Sequence, residues 1–216
     1  MKIVAFIFAR GNSKGIKNKN LLKFKKTTLL GHAIQQAKKV NYIKEVFLST
    51  DSKKILNYAQ KYKIKTPFLR PRKLSTDNSS EVDAWRHAIK YLREKLDLRP
   101  DYIVSIPTTC PLRKISDINL CLEKALRNKL DIVFTAMKSS RNPYFNMIEK
   151  KKNKINIISR FFDRKKKIIF TRQKSPECFD LTTACYIFKP DYIMNTKDLF
   201  SGKTDFIEIP RKRGID

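Results

Sequence analysis

An apolar run followed at once by a basic, glycine-containing loop is the feature that most limits how this chain can fold. The run Ile3–Phe8 has the composition of a buried strand, and the loop of residues 9–20 carries Gly11, Gly15 and four cations. Glycines let a backbone turn with positive φ and approach a ligand closely, and the N–H groups of such a loop can donate to phosphate oxygens. Because α/β sheets bind ligands beyond the carboxyl ends of their strands, the pattern predicts an anion site in an α/β protein.

Apolar strand-like runs alternate with helical patterns along most of the remaining sequence. Strands are predicted near residues 2–8, 45–51, 66–69, 101–106, 131–137, 183–188 and 205–210, and helices near 29–40, 52–63, 79–97 and 115–126. This alternation is typical of a mostly parallel sheet flanked by helices. We therefore predict a single α/β domain over residues 1–216, built on a Rossmann-like sheet.

The texture changes over residues 139–175, where lysine-rich connections surround two extended runs, 144–148 and 167–171. The pattern predicts a β-hairpin arm that projects from the sheet. Its apolar side chains exceed what a lone hairpin can cover, so they need a partner surface. A second subunit is the partner that we expect.

The chain is strongly basic, with 48 Lys and Arg against 20 Asp and Glu and a formal net charge of +28. Such a charge usually indicates nucleic acid or an anionic surface. Here the lysines are spread along the whole chain and no recognised nucleic-acid motif is present, so nucleic-acid binding is not expected. A non-catalytic basic protein that binds nucleotides or nucleic acid stays open as an alternative.

Targeting and cysteine signals point to the cytoplasm. The first residues lack the pattern of a cleaved signal peptide, and no apolar run approaches the length of a membrane span. The four cysteines form no CxxC pair, which argues against zinc and favours reduced, buried thiols. We expect a cytoplasmic protein without a membrane partner.

The order of residues in the basic loop resembles a known signature. Arg10-Gly-x-Ser13-Lys14-Gly, four residues and then Asn20-Leu resembles the nucleotide-binding motif of the CMP-sialic acid synthetases, or acylneuraminate cytidylyltransferases. Four further segments match that family in the expected order: residues 48–51, 70–80, 107–113 and 211–216. The resemblance covers essentially the whole chain. It implies a dimeric enzyme that couples CTP to the anomeric hydroxyl of a sialic acid or related nonulosonic acid and releases pyrophosphate.

The resemblance also implies roles for particular residues on the nucleotide side. Arg10, Ser13 and Lys14 would hold the triphosphate, Lys19 and Asn20 would hold phosphate and ribose, and Arg70, Ser79 and Ser80 would read cytosine. Lys14 is the main candidate for stabilising charge at the reacting phosphate, with Arg10 beside it. Ser79 and Ser80 can also be read as a helix N-cap, and both roles can hold at once.

On the sugar side, the resemblance implies that Arg172 and Tyr186 face the acidic nine-carbon sugar. The segment 141–147 is more similar to the branch that acts on legionaminic-type acids, while enzymes for 3-deoxy-manno-octulosonate or pseudaminate remain alternatives. The family binds Mg²⁺ through an Asp-x-Asp pair, and Asp216 matches the first of these carboxylates. The sequence ends there. Either the chain continues, or its terminal carboxylate replaces the second aspartate, or metal binding is weakened.

Overall fold

A computed structural model describes residues 1–11, 15–152, 154–159, 169 and 171–215 of the chain. The strands are β1 (Ile3–Phe8), β2 (Lys23–Phe24), β3 (Thr27–Thr28), β4 (Glu45–Ser49), β5 (Tyr102–Ser105), β6 (Ile132–Lys138), β7 (Ile148–Lys151), β8 (Lys154–Ile157), β9 (Phe179–Phe188) and β10 (Thr204–Glu208). The helices are α1 (Leu29–Lys38), α2 (Lys53–Gln60), α3 (Glu81–Lys95), α4 (Ile115–Arg127) and α5 (Pro190–Asn195). In this part of the chain, every helix is too short or too polar to cross a membrane.

The central sheet has six strands in the order β10-β6-β9-β5-β1-β4. The prediction of a mostly parallel α/β sheet is confirmed, because β1 pairs in parallel with β4 and β5, and β10 pairs in parallel with β6. Strand β9 runs antiparallel between β5 and β6. The alternation of apolar residues did not predict this direction, since a strand has the same side-chain period either way.

Two hydrophobic cores cover the two faces of the sheet, and β1 contributes to both through its alternating side chains. Ile3, Ala5 and Ile7 belong to the core that contains the apolar faces of α1, α2 and α4. Val4 and Phe6 belong to the core that contains α3 and α5. All five of these β1 side chains are buried, which explains why the run reads as uninterrupted apolar sequence.

Strand β1 is also where the order of strands reverses. The chain leaves β1 through α1 to reach β4 on one side, and later reaches β5 on the other side through α3. Helices α1 and α3 cover opposite faces of the sheet. A crevice therefore opens beyond the carboxyl end of β1, the place where open α/β sheets bind ligands.

Two details of the sequence-based assignment are wrong. Residues 66–69 do not form a strand: this segment joins β4 only through isolated bridges, Phe47 with Lys65 and Thr50 with Leu69. Pro67 removes a backbone donor there, which disfavours a continuous ladder. The short β2–β3 hairpin was missed because two-residue strands leave no periodic signal.

In the predicted arm, β7 and β8 pair as an antiparallel hairpin. The expected extended run 144–148 is instead a turn up to Asn146, and the strand begins at Ile148. Asn142 forms the turn, because its side-chain oxygen accepts the Tyr144 N–H at 2.8 Å and its carbonyl accepts from Phe145. Most of the run 167–171 lies outside the described residues. Whether residues 139–175 act as a dimerisation arm stays a prediction.

We expect the substitution Gly31→Ala to destabilise the protein, although alanine normally favours a helix. A Cβ at Gly31 in α1 would collide with the hydroxyls of Tyr62 and Thr27, which are hydrogen-bonded to each other at 2.5 Å. Overpacking of this kind costs about 1–3 kcal/mol, against a helix-propensity gain of about 1 kcal/mol. Thermal unfolding should show a lower midpoint than wild type, whereas Gln35→Ala on the exposed face of α1 should not. Equal midpoints for the two variants would contradict the prediction.

Candidate active site

A cleft of about 300 Å³ opens beyond the carboxyl ends of β1 and β5 and against the start of α3. It gathers six residues that the sequence singled out: Arg10, Lys19, Asn20, Arg70, Ser79 and Ser80. They come from two segments that are distant in the sequence, the loop after β1 and the loop that leads to the N-cap of α3. The fold thus brings the predicted nucleotide-side residues to one cavity, as far as the structure describes them.

Arg10 spans the mouth of this cleft. Its Nη1 atom lies 3.2 Å from the Asp77 carboxylate and donates to the Thr76 carbonyl at 3.2 Å. The two partners belong to the loop before α3, on the opposite rim from the end of β1. The Asp77 carboxylate therefore holds the Arg10 guanidinium across the opening. The same carboxylate would repel an anionic ligand in the cleft.

The first turn of the basic loop is fixed by a carboxylate at the end of β4. The Gly11 N–H donates to Asp51 Oδ1 at 2.7 Å. Gly11 does not use the positive φ that glycine permits; Asn18 takes the left-handed conformation, with φ of 55°. Gly11 is required instead for close approach, because a Cβ there would lie 2.8 Å from the Cβ of Ser52.

Asn20 is buried and links the loop to the turn after β5. Its Nδ2 donates to the Arg10 carbonyl at 2.8 Å, and its Oδ1 accepts from the Thr108 hydroxyl at 2.5 Å. The side chain is 5% exposed. Both ends of the amide are thus engaged, which fixes the backbone from which the Arg10 side chain extends.

Arg70 forms a buried cationic wall of the cleft. Arg70 is 6% exposed. Its side-chain Nε donates to Ser75 Oγ at 3.0 Å, and its backbone N–H donates to the Thr50 carbonyl at 2.7 Å. Burial lowers the pKa of Arg70 from its ordinary value, while the nearby Asp51 carboxylate opposes that shift. Because the guanidinium is poorly solvated, a polar ligand group reaching it would interact strongly.

The two serines shape the end of the cleft in different ways. Ser80 Oγ accepts the Val82 N–H at 3.1 Å, so the capping interpretation is confirmed for Ser80. Ser79 Oγ accepts the Thr76 N–H at 3.0 Å and donates to the Lys73 carbonyl at 2.9 Å, which closes the loop on itself. Both hydroxyls line the cavity, so these structural roles leave room for a contact with a ligand.

Comparison with known proteins gives the family. The model of the family described as "Cytidylyltransferase" matches residues 4–203. The chain is 32% identical to "Post-translational flagellin modification protein B" of Campylobacter coli and 32% identical to "CMP-N,N'-diacetyllegionaminic acid synthase" of Campylobacter jejuni; each alignment covers 100% of this chain and 89% of the relative. This chain is a member of the cytidylyltransferase family.

A solved structure supports the fold of this cytidylyltransferase. The structure of CMP:2-keto-3-deoxy-manno-octonic acid synthetase complexed with CTP superposes with a TM-score of 0.70 at 14% sequence identity, over 97% of this chain and 90% of that one. At that identity the likeness concerns the architecture. The recognised family and the sheet topology therefore agree that the protein is a nucleotidyltransferase with an α/β fold.

The residues predicted for the sugar do not line this cleft in the cytidylyltransferase. Arg172 is exposed and lines a second pocket of about 240 Å³, together with Lys138 and Arg141. Tyr186 is half-buried, and its ring lies 5.3 Å from that of Trp85 in the core on the α3 side. Ser13, Lys14 and Asp216 lie outside the described residues.

The cleft also contains several residues to which the sequence analysis assigned no role. Thr108, Thr109 and Thr183 line it, and the Thr109 hydroxyl donates to the Thr183 hydroxyl at 3.0 Å. Both threonines after β5 lie in a segment that the family resemblance had marked, so the motif was the available signal. Thr183 lies on the antiparallel β9, whose position beside β5 could not be read from local pattern.

The described part of the chain contains no group of three His, Cys, Asp or Glu side chains placed to hold a metal ion. Asp51 and Asp77, the acidic side chains that anchor the Gly11 turn and Arg10, are engaged with protein donors. Mg²⁺ commonly binds through one or two carboxylates together with substrate phosphates, so a cluster of three is not needed.

Acidification should lower the free energy of unfolding, because the two histidines, His32 and His87, become protonated. Burial lowers the pKa of each from the ordinary value of 6.5, and Arg70 lowers that of His87 further. The unfolded chain therefore binds protons first, and the free energy of unfolding falls as the pH drops below about 6.5. We expect His87→Leu to make the thermal midpoint vary less between pH 7 and 5.5. An unchanged pH dependence in that variant would contradict this assignment.

Proposed function

We propose that this cytidylyltransferase couples CTP to the anomeric hydroxyl of a legionaminic-type nonulosonic acid and releases pyrophosphate. The single observation that carries the nucleotide part is the cleft that gathers Arg10, Asn20 and Arg70 beyond the carboxyl end of β1. The sugar class is supported by the relative named for CMP-N,N'-diacetyllegionaminic acid synthesis. The chain spans 89% of that relative, so the likeness extends over both halves of the fold.

In the proposed reaction, the anomeric oxygen forms a bond to the α-phosphorus while the bond to the β-phosphate oxygen breaks. The pyrophosphate takes the bonding electron pair, and the hydroxyl proton is lost to a base or to solvent. Such phosphoryl transfers depend mainly on positioning and charge stabilisation. Arg10 and Lys14 would stabilise the phosphate charge, assisted by Ser13 and Lys19, while Asn20 fixes the loop from which Arg10 extends.

The cytosine end of the nucleotide is proposed to lie against Arg70, Ser79 and Ser80. The buried guanidinium of Arg70 supplies donors for a carbonyl or ring nitrogen, and the two hydroxyls can donate or accept. Since Ser79 and Ser80 are already fixed by backbone contacts, they would present a preformed surface. Preformed donors and acceptors favour selection of one base over another.

Mg²⁺ is the cofactor that we propose, bound by the Asp216 carboxylate together with the phosphates of CTP. When bound, the ion neutralises phosphate charge and assists departure of pyrophosphate. Asp216 follows the turn Arg211–Arg213, whose Arg213 Nη1 atom is paired with Asp117 at 2.8 Å. That ion pair fixes the described part of the segment from which Asp216 extends.

We propose that binding of the sugar acid requires a second copy of the chain. Arg172 belongs to a pocket separate from the nucleotide cleft, and the β7–β8 hairpin exposes Ile148 and Ile155, 65% and 62% respectively. A homodimer in which the arm of one copy packs on the other would cover these side chains. It could also bring Arg172 near the sugar, where arginine suits a carboxylate, with Tyr186 in the neighbouring core.

Pyrophosphate release tests the reaction directly. The protein is incubated with CTP and Mg²⁺ and, in parallel, with legionaminate, N-acetylneuraminate, pseudaminate or 3-deoxy-manno-octulosonate. We expect release with legionaminate that falls by at least about 100-fold in Lys14→Ala, because a charge at the reacting phosphate is lost. Release with another sugar acid corrects the substrate. Salt-sensitive RNA binding without cytidine selectivity or turnover would favour the non-catalytic alternative.

Asp77→Asn should tighten CTP binding. The change removes a negative charge near the proposed triphosphate position and frees Arg10 from its partner at 3.2 Å. We expect the dissociation constant for CTP to fall by about threefold, with a smaller effect at high salt because the charges are partly exposed. Isothermal titration calorimetry measures it. Asp83→Asn, at a carboxylate paired with Arg86 on α3, serves as the control and should leave it unchanged.

A further inference from the structure

Arg113 is a buried cation that lies behind the cleft without lining it. Its side chain is 3% exposed, and its Nη1 atom donates to the carbonyls of Pro107 at 2.6 Å and Ala184 at 2.9 Å. Its Nε donates to Gln36 Oε1 at 2.9 Å, and Gln36 returns a bond from Nε2 to the Arg113 carbonyl at 2.8 Å. One guanidinium thus joins the turn after β5, strand β9 and helix α1.

Burial of the charged Arg113 side chain costs free energy, because the guanidinium loses its hydration. Burial lowers the pKa of Arg113 to about 10, and its Nη2 atom is buried without a hydrogen-bond partner among the described residues. A leucine or methionine would fill such a site without the desolvation penalty. The guanidinium offers instead a rigid fork of N–H donors: Nη1 holds one carbonyl in the turn after β5 and one on β9, and Nε holds Gln36 on α1.

We infer that Arg113 is a positioning residue for the nucleotide cleft and acts through Thr108, the residue that follows Pro107. The bond to the Pro107 carbonyl fixes the peptide that carries Thr108. The Thr108 hydroxyl donates to Asn20 at 2.5 Å, and Asn20 donates to the Arg10 carbonyl at 2.8 Å. Five residues thus form a continuous path from the core behind β5 to the loop proposed to hold the triphosphate: Arg113, Pro107, Thr108, Asn20 and Arg10.

Thr108 is the residue at which the two halves of this path meet. It is 4% exposed, and its hydroxyl has a partner in Asn20 rather than in its own turn. A shift of the Pro107–Thr108 peptide therefore moves the hydroxyl donor that holds Asn20, and with it the backbone of Arg10. Small misplacements of binding groups are enough to weaken charge-dependent contacts markedly.

The inference rests on the proposed binding of CTP in this cleft, and calorimetry of CTP binding to the full-length protein tests it. Arg113→Lys keeps the charge but loses the fork, and Thr108→Val keeps the shape but loses the hydroxyl. We expect each to weaken CTP binding by about fivefold to tenfold. Because both substitutions act on one path, the double variant should bind CTP about as weakly as whichever single variant has the lower affinity.

Two further variants separate positioning from general stability. Gln36→Met removes the two bonds between Gln36 and Arg113 while leaving the charge of Arg113, so it tests the path even if Arg113→Lys fails to fold. We expect it to weaken CTP binding severalfold. Tyr102→Phe removes a buried hydroxyl that donates to the Leu130 carbonyl at 2.8 Å, at the start of β5 and away from the cleft at the carboxyl ends of the strands. It should lower the thermal midpoint but leave CTP binding unchanged.

The outcomes are distinct. Wild-type protein that does not bind CTP overturns the proposed function and this inference with it. Wild-type binding with no change in Arg113→Lys or Gln36→Met overturns the inference and leaves the proposed function standing. Multiplying losses in the double variant, to about 25-fold to 100-fold, would show that Arg113 and Thr108 act independently. A loss in Tyr102→Phe equal to that in Arg113→Lys would assign the effect to stability.

Discussion

Arg70→Met should lower kcat/KM for CTP by about 100-fold. This is the largest loss that we expect from a substitution of any single described residue of the cleft. The side chain is buried, and hydrogen bonds made by charged groups are worth about 1.5–3 kcal/mol each. A tenfold change in rate corresponds to about 1.4 kcal/mol, so the loss of such contacts accounts for two orders of magnitude. Arg70→Lys should recover only part of the activity, because lysine lacks the planar fork.

Steady-state pyrophosphate release at varied CTP concentration measures this effect. Arg72→Met is the matched control, since Arg72 is an exposed arginine in the same loop and is absent from the lining of the cleft. It should keep wild-type parameters within about twofold. If Arg70→Met kept wild-type kcat/KM while remaining folded, the placement of the base beside Arg70 would have to be abandoned.

Asp117→Asn should lower the free energy of unfolding by about 3–5 kcal/mol. Asp117 is 1% exposed, its Oδ1 lies 2.8 Å from Arg213 Nη1, and its Oδ2 accepts the Lys114 N–H at 2.8 Å. Removing one partner of a buried ion pair leaves the other charge without compensation in a medium of low dielectric constant. The charge of Asp117 also acts on the buried Arg113, so its loss would affect both that cation and the partly buried Arg213.

Thermal or urea unfolding measures this change, and a loss of that size should lower the midpoint by roughly 6–20 °C. Asp191→Asn is the comparison, because Asp191 pairs with Arg93 at 2.5 Å but is 85% exposed. Exposed ion pairs contribute little, so its midpoint should stay close to wild type. Equal effects of the two substitutions would show that the buried pair makes no special contribution.

Much of the fold could be predicted because burial leaves local signals in the sequence. The all-apolar run of β1 reflects a strand covered on both faces, and the helical stripe of α1 reflects one face turned to the sheet. The short segment 66–69 was misassigned because its composition matches a strand while Pro67 limits its pairing. The sequence also left open whether Gly11 serves a positive φ or a close approach, since composition does not reveal a close neighbour such as Ser52.

The nucleotide-side residues were found from a motif, and their grouping came from the fold. Arg10 meets Thr76 across 66 residues, and Thr108 meets Asn20 across 88 residues. No local periodicity reports such pairs, because each depends on which strands lie beside β1. The separation of Arg172 from the cleft has the same origin, as it follows from the position of the segment before β9.

The sequence by itself determined the class of fold, most of the elements and the loop that carries the family signature, because these depend on the spacing of apolar residues and on short contiguous motifs. The tertiary structure decided the antiparallel placement of β9, the contacts that hold Arg10 and Asn20, and the buried position of Arg113 behind the cleft. Those features arise from contacts between residues far apart in the chain, and only the packed sheet brings them within hydrogen-bonding distance.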